Sequence, residues 1–464
     1  MLGFGREGRS ALSFCKKHGV VNIGVSDELL KKDLAENFPE VSNWHLGNEW
    51  LSSLDEYDVI IRSPGISLLK LPESCLSRTT SGTRILVDKH RDRIWAVTGT
   101  KGKSTTATLL SHIFKDQGFN FDFGGNIGVP PLDLYDSSSD IILLELSSYQ
   151  LDGLRISPRV GIFLNLYEEH LDYHGGFSSY VNAKTNIFRF QKSSGDMIIL
   201  PDPGLGLAKG LDATNSMKEG LGARFYYGQE DEINTGAFLL GDKIILRSDN
   251  GRELVSVLFS DIFLKGSGNY FNICAVLSAL YHGSRLGLFS LEIDWEKVSQ
   301  TIRNFRPLKH RLEEVTTSSQ IVFVNDSIST VPESTLQAIS AYVGAIDTLI
   351  LGGFDRGVSF DHLASRLLET DIRAFFFIPP SGRRLREIME EKLKLSGKKE
   401  SGEMQLVDVS NLEEAVRLAK ELTRPGRVCM LSPASPSFPL FRNFEERGEL
   451  FRKLCSSLIN LNLI

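Results

Sequence analysis

Apolar and polar positions along this chain alternate in blocks rather than singly. Short apolar runs, each closed by glycine, proline or a polar residue, are followed by stretches whose apolar residues recur at helical spacing. That alternation predicts strands and helices in turn, and so parallel sheets with both faces covered by helices. Residues 1–91 read as a small α/β unit. A glycine turn (Gly3, Gly5, Gly8) leads into a helix through "SALSFCKKHG" that ends at Gly19, with buried strands in "VVNIGVS" and in "VIIRSPGI". The turn follows only two residues, so the strand expected before it is either missing or reduced to Met1–Leu2, which implies a start further upstream or a weakened edge of the first sheet. "RIWAVTGT" opens a second unit, 92–306, with strands in "DIILLEL" and "VGIFLNL" and a helix over 180–188. Within it "DKIILRSDNGRELVSVLF" predicts a hairpin turning at Asp249-Asn250-Gly251. Strands and helices alternate again over 307–464: "IVFVND", a helix from Pro332, "TLILGG", a helix to Leu368, "AFFFIP", a further helix, and "RVCMLSPAS". "KLKLSGKKESGE" reads as a solvated loop.

Composition narrows the class. With 464 residues the chain exceeds one core, and three domains match the usual domain size. A net charge of −6 argues against a nucleic-acid binder, whose footprint is basic. Five scattered cysteines without a CxxC give neither a disulfide framework nor a zinc site, which fits a reducing cytoplasm. No apolar run approaches the ~20 residues needed to cross a bilayer.

The densest chemical signal is "GTKGKST" at 99–105, between the strand 94–97 and a helix carrying Leu109, Leu110, Ile113 and Phe114. Gly99 and Gly102 let the backbone N–H groups of Thr100, Lys101 and their neighbours turn toward one point at the helix's positive end. Lys103 then reaches terminal phosphates, and Ser104, with Thr105 behind it, offers a hydroxyl to Mg2+. The spacing is GxxGKS, two residues shorter than the common GxxxxGKS. Three further residues carry candidate chemistry. Glu145 ends the strand of "DIILLEL", where it is either a metal ligand or a solvated strand end. His170 follows another buried strand and is either a ligand or structural. Lys184 shares a helix face with Tyr180, Ile187 and Phe188. It either snorkels to water or is buried with a depressed pKa, as a neutral amine able to capture CO2 as a carbamate.

Taken together, these motifs resemble the ATP-dependent Mur ligases of peptidoglycan synthesis. The likeness rests on "TGTKGKST", "GGNIG", "LELSSYQL", "NLYEEHLDYH" with Lys184, "GSGNYFN", "KHRLE", "NDSIST" and "LSPASPSFPLFRNFEERG", and it covers nearly the whole chain. Within the family, "LELSSYQL" and the C-terminal stretch resemble the glutamate-adding members. The resemblance implies three α/β domains: a Rossmann-like UDP-binding domain (1–91), a central phosphate-loop ATPase-like domain with a small β excursion (92–306), and a Rossmann-like amino-acid-binding domain (307–464). It implies that Gly5, Arg6, Glu7, Ser26, Asp27 and Gly65 meet the UDP end of the substrate. Asn126, Ser147, Gln150 and His170 meet its muramoyl-alanine end. Asn269, Asn272, Arg311 and Asp326 join the loop 99–105 around ATP. Ser104, Glu145, His170 and a carbamylated Lys184 would hold two Mg2+ ions, and Thr330, Arg356, Ser437 and Phe444 the incoming glutamate.

The implied reaction joins glutamate to UDP-MurNAc-L-Ala through an acyl phosphate, in the cytoplasm, by a monomer that needs neither membrane nor nucleic acid. Lys103, Glu145, His170 and Lys184 carry the catalysis. This chain departs from the family at Gly268, where the adenine motif has histidine, at Ile328, where many D-glutamate ligases have lysine, and at Arg356, near a second lysine. D-glutamate remains the expected amino acid, with an L-glutamate-adding variant as the alternative. A folylpolyglutamate-synthase-like ligase shares the ATP chemistry but lacks a reason for "FRNFEERG". A nicotinamide oxidoreductase leaves Lys103, Glu145 and Lys184 without a purpose. A non-catalytic nucleotide-sugar sensor remains the third rival.

Overall fold

The structure is a computed structural model. It describes residues 1–28, 38–47, 50–208, 211, 220–230, 235–306, 309–315, 317, 319–342, 344–355, 357–395 and 404–457, except the side chains of Glu333, Gln337 and Ser340. The chain divides into two compact units, Met1–Phe305 and Arg306–Ile464.

The first unit holds two parallel sheet systems. In its N-terminal part Gly24–Asp27 pairs with Asn43–Leu46, and Ile60–Arg62 with Thr79–Ser81. Leu2 lies between the two pairs and bridges Ser26 on one side and Arg62 on the other. The opening strand is thus a single fully buried residue, held by Leu2 N–H to Ile61 O and Ser26 N–H to Met1 O, both 2.9 Å. The glycine turn follows at once. Gly3 has φ +83°, and a Cβ on Gly8 would lie 2.1 Å from the Gly3 carbonyl oxygen, so both positions exclude a side chain.

The larger sheet has nine strands in the order 253–258, 243–247, 236–240, 223–229, 197–201, 160–163, 94–98, 141–145, 121–125. All neighbours are parallel except in the excursion 236–258, where the hairpin turns through Gly251 at φ +79° as its Asp-Asn-Gly predicts. Strand Ile94–Thr98 is fully buried and central, with Ile141–Glu145 on one side and Val160–Phe163 on the other. Chain reversal around this strand opens a crevice at the carboxyl ends, the usual ligand position in such sheets. The helix Lys103–Gln117 covers one face with Leu109, Leu110, Ile113 and Phe114 buried. The helix expected over 180–188 runs Phe177–Thr185.

The second unit is a six-stranded sheet in the order 313–315, 322–325, 428–431, 346–352, 374–378, 405–408. Only Glu313–Val315 is antiparallel. Strand Val428–Leu431 inserts between 322–325 and 346–352, so Asp326 and Ser432 meet at that switch point. The helix Pro332–Ala341 starts at Pro332, whose missing N–H costs nothing there. Residues 392–395, read as loop, complete the helix Ser381–Leu395, and 396–403 lie outside the described residues.

Asp347, fully buried, is the charged anchor of this unit. It accepts hydrogen bonds from the Arg424 side chain (2.6 Å), the Arg424 backbone N–H (2.8 Å) and Arg373 (3.1 Å). Burial pushes its carboxyl up, but the Arg424 and Arg373 bonds together hold it below the usual aspartate range. A depressed folded pKa stabilises above the unfolded value and is lost as pH falls through the folded one. Asp347→Asn is therefore expected to cost the second unit about 2–3 kcal/mol in urea unfolding at pH 7, with the gap to wild type closing below about pH 4.

Candidate active site

Three strand ends converge on the phosphate loop. Strand 94–98 delivers Gly99, and Gly102 adopts φ +84° as the residue before helix Lys103–Gln117. A Cβ on Gly102 would lie 2.5 Å from Asn272 Oδ1, which puts Asn272 against the loop. Asn269 is linked to it, accepting from Asn272 Nδ2 at 3.3 Å. Lys103 Nζ folds back to donate to the carbonyl oxygens of Gly99 and Thr100, each 3.0 Å. Ser104 sits half-buried in the helix's first turn with Thr105 buried behind it. Gly102→Ala should strain the left-handed turn and push Asn272 away, lowering stability by about 1–2 kcal/mol in urea unfolding.

Residues 165–169 clamp this loop from the neighbouring strand end. Asn165 Oδ1 accepts from Lys101 N–H (2.8 Å) while its Nδ2 donates to Lys101 O (3.0 Å). Lys101 Nζ reaches Glu169 Oε1 at 2.7 Å, and Thr100 Oγ1 bonds Tyr180 Oη at 2.8 Å. Asn165, Glu169 and Tyr180 were not among the expected site residues. Asn165 only ends the apolar run "VGIFLN", too common a feature to single out, while Glu169 lies within "NLYEEHLDYH" and Tyr180 on the Lys184 face without a role of their own.

Glu145 is fully buried at the end of its strand. Asn126 Nδ2 donates to its Oε1 at 2.9 Å, and its Oε2 has no hydrogen-bond partner. A buried carboxylate oxygen left without a donor is costly unless a cation meets it. His170 follows the strand Val160–Phe163 at φ +56°, a conformation rare outside glycine, with its ring against Tyr149 (4.8 Å). Burial lowers the His170 pKa against the pull of Glu169, which leaves a neutral imidazole with a lone pair to give. Lys184 is 2 % exposed and donates from Nζ to Gly99 O at 2.8 Å. It is buried, not snorkelling. Burial above all, then the charge of Lys103, holds its amine well below the usual lysine range. Among the described residues no three His, Cys, Asp or Glu side chains gather into a ready-made metal cluster. The orphaned Glu145 oxygen, the Ser104 hydroxyl and a neutral imidazole nevertheless suit a hard divalent cation.

The remaining expected residues of the first unit fall at neighbouring loops. Ser26 and Asp27 end the strand beside Leu2. Ser26 Oγ bonds Trp50 O, and Asp27 Oδ2 accepts from Phe4 N–H at 2.7 Å beside Gly5. Gly65 is exposed after strand 60–62. Ser147 and Gln150 form a capping box at the short helix Ser148–Leu151. In the second unit Asp326 Oδ2 accepts from Ser432 at 2.7 Å and Oδ1 from Leu312 N–H at 3.3 Å. Burial pushes this acid up to about 6 despite those bonds and the nearby charge of Arg311. Arg447, itself buried, bonds Ser327 through Nε (3.0 Å) and Nη2 (2.8 Å) and Ser435 O through Nη1 (3.0 Å). It fastens "NDSIST", with Thr330, to the stretch holding Ser437, and Ser327 Oγ donates to Phe444 O at 2.8 Å. Arg356 lies outside the described residues.

A parallel sheet with a glycine cradle at its central strand, an orphaned acid and a buried lysine beside it defines a phosphate-loop α/β enzyme. The Mur ligase middle domain matches residues 97–280. The chain is 33% identical to the UDP-N-acetylmuramoyl-L-alanine--L-glutamate ligase of Micromonospora sp., over 97% of this chain and 94% of that protein. It is 31% identical to the UDP-N-acetylmuramoylalanine--D-glutamate ligase of Clostridium kluyveri, over 96% and 97%. The fold resembles a pseudomurein peptide ligase type C from Methanothermus fervidus, with TM-score 0.56, 16% identity and 98% of each chain covered. This chain belongs to the Mur ligase family, and it is an ATP-dependent amide ligase. No helix among the described residues is long and apolar enough to cross a membrane.

Proposed function

We propose that the protein joins glutamate to the free carboxylate of UDP-N-acetylmuramoyl-L-alanine, with ATP converted to ADP and phosphate. The observation that carries this reading is the buried, partnerless Glu145 oxygen in the same site as the cradle 99–105 and the buried Lys184. In this account 1–91 binds the uridine end, 92–306 binds ATP, and 307–464 binds the amino acid through Thr330, Arg356, Ser437 and Phe444. The loop's N–H groups and Lys103 hold the triphosphate, so the substrate carboxylate meets the γ-phosphorus in line with the leaving ADP oxygen. Mg2+, held by Ser104, Glu145, His170 and carbamylated Lys184, would offset charge on the transferring phosphoryl group. The carboxylate oxygen bonds to phosphorus as the bond to ADP breaks. The glutamate amine then attacks the acyl carbon, loses a proton, and phosphate leaves. Arg311 and Asp326 serve the nucleotide.

D-glutamate is the proposed amino acid. A second reading, L-glutamate, is favoured by Ile328 in place of a lysine and by the 33% identity to an L-glutamate-adding relative. ADP release from ATP and UDP-MurNAc-L-Ala, measured with each enantiomer in turn, decides between them. Release with the D-form supports the first reading, release with the L-form alone the second, and none with either overturns both. Further elements of the proposal are a cytoplasmic monomer and two metal ions.

A further inference from the structure

Arg6 and Glu7 begin the helix Arg6–Lys17, at positions where uridine contacts are expected. Their side chains reach toward the larger sheet. Arg6 Nη2 donates to the carbonyl oxygens of Gly125 and Asn126, both at 3.2 Å, and Nη1 to that of Gly128 at 3.3 Å. Glu7 Oε1 accepts from Gln150 Nε2 at 2.8 Å. The two segments gripped in this way flank Glu145. On one side Gly125 pairs with Glu145 across the sheet, and Asn126 bonds it twice, from its backbone N–H to Glu145 O (2.8 Å) and from Nδ2 to Oε1 (2.9 Å). A Cβ on Gly125 would sit 2.2 Å from Glu145 O, so the two backbones are in contact. On the other side Gln150 Oε1 accepts from the N–H of Ser147, two residues beyond Glu145 (3.1 Å).

We propose that Arg6 and Glu7 are positioning residues for Glu145, a two-armed brace that sets where its partnerless oxygen points. The inference rests on the reading of Glu145 as a metal ligand. Asn126 is the sole hydrogen-bond donor to that carboxylate among the described residues, and Arg6 holds the carbonyl of the same Asn126. Release of Arg6 therefore frees the segment 125–128, and release of Glu7 frees Gln150 and with it Ser147. Losing a group bonded directly to a metal ligand, the place Asn126 holds, typically changes the affinity 10–100-fold, and Arg6 and Glu7, one step further out, are expected at the lower end of that range.

The test is Mn2+ affinity, read by electron paramagnetic resonance of the free ion at saturating ADP, with no turnover required. Arg6→Ala and Glu7→Ala should each weaken Mn2+ binding tenfold or more. Glu7→Gln keeps an acceptor oxygen for Gln150 and should stay within twofold of wild type. Arg6→Leu provides a second variant should Arg6→Ala melt early. Wild-type uptake of Mn2+ with unchanged affinity in either alanine variant overturns the brace alone, as does a loss confined to UDP-substrate affinity. Absence of Mn2+ uptake by the wild type overturns the metal reading and the brace with it.

Discussion

Lys184→Ala is expected to lose at least about a thousandfold in turnover, the equivalent of about 4 kcal/mol, while its melting temperature stays close to wild type. The reasoning starts from burial. An ammonium at 2 % exposure is unfavourable, and burial and the charge of Lys103 outweigh the pull of Glu169 and Glu145, so the amine is held well below the usual lysine range and gives up its proton more readily. A neutral amine adds its lone pair to CO2, releases a proton and becomes a carbamate, an anion that answers the surrounding lysines. The variant cannot form it. Short carboxylic acids such as formate or acetate should therefore restore part of the activity by supplying the missing anion. The sign with pH follows from the same cause. Carbamylation needs the unprotonated amine, so at fixed bicarbonate wild-type activity after CO2 depletion should return more completely as pH rises through the amine's depressed pKa and level off above it. Wild-type turnover in Lys184→Ala without any additive contradicts the carbamate.

Glu145→Gln should move activity and stability in opposite directions. The amide keeps the size of the side chain and an oxygen for Asn126 Nδ2, but removes a buried negative charge whose second oxygen has no partner. Without metal, that charge is a burden on folding, so thermal stability should hold or rise. Turnover should fall by about 10²–10³, the scale for losing one electrostatic stabiliser of a developing charge. A variant that is both less stable and fully active would make Glu145 a structural acid. Thermal melts and steady-state rates on the same preparation separate the two.

Much of this was legible in the sequence, for identifiable reasons. The glycine loop is a local device: Gly99 and Gly102 are required by the turn itself, so the pattern survives without knowledge of the fold. The face Lys184 shares with Tyr180, Ile187 and Phe188 was readable, but that pattern left snorkelling and burial both open, and only the packed structure decides for burial. Other features depend on contacts between distant segments. Leu2 acts as a whole strand only because Ser26 and Arg62 flank it. The strand Glu313–Val315 is three residues long and edge-placed, too short to show a period. The clamp by Asn165 and Glu169 joins residues more than sixty positions from Lys101. The hydrogen bonds from Arg6 and Glu7 to segments around Glu145 likewise join residues more than a hundred positions apart, which no local pattern carries. Between "AFFFIP" and "RVCMLSPAS" one helix was expected, whereas the structure has two, Ser381–Leu395 and Leu412–Leu422, with the strand Gln405–Asp408 before the second.

The central claim is that a carboxylate is activated by phosphoryl transfer in the cradle around Lys103. The most direct measurement supplies UDP-MurNAc-L-Ala with both carboxylate oxygens as 18O, together with ATP and glutamate, and follows the label by mass spectrometry. Attack on the γ-phosphorus followed by amide formation predicts one 18O in each phosphate released and one retained in the amide. Label in AMP, or phosphate released without label while the amide forms, would contradict it.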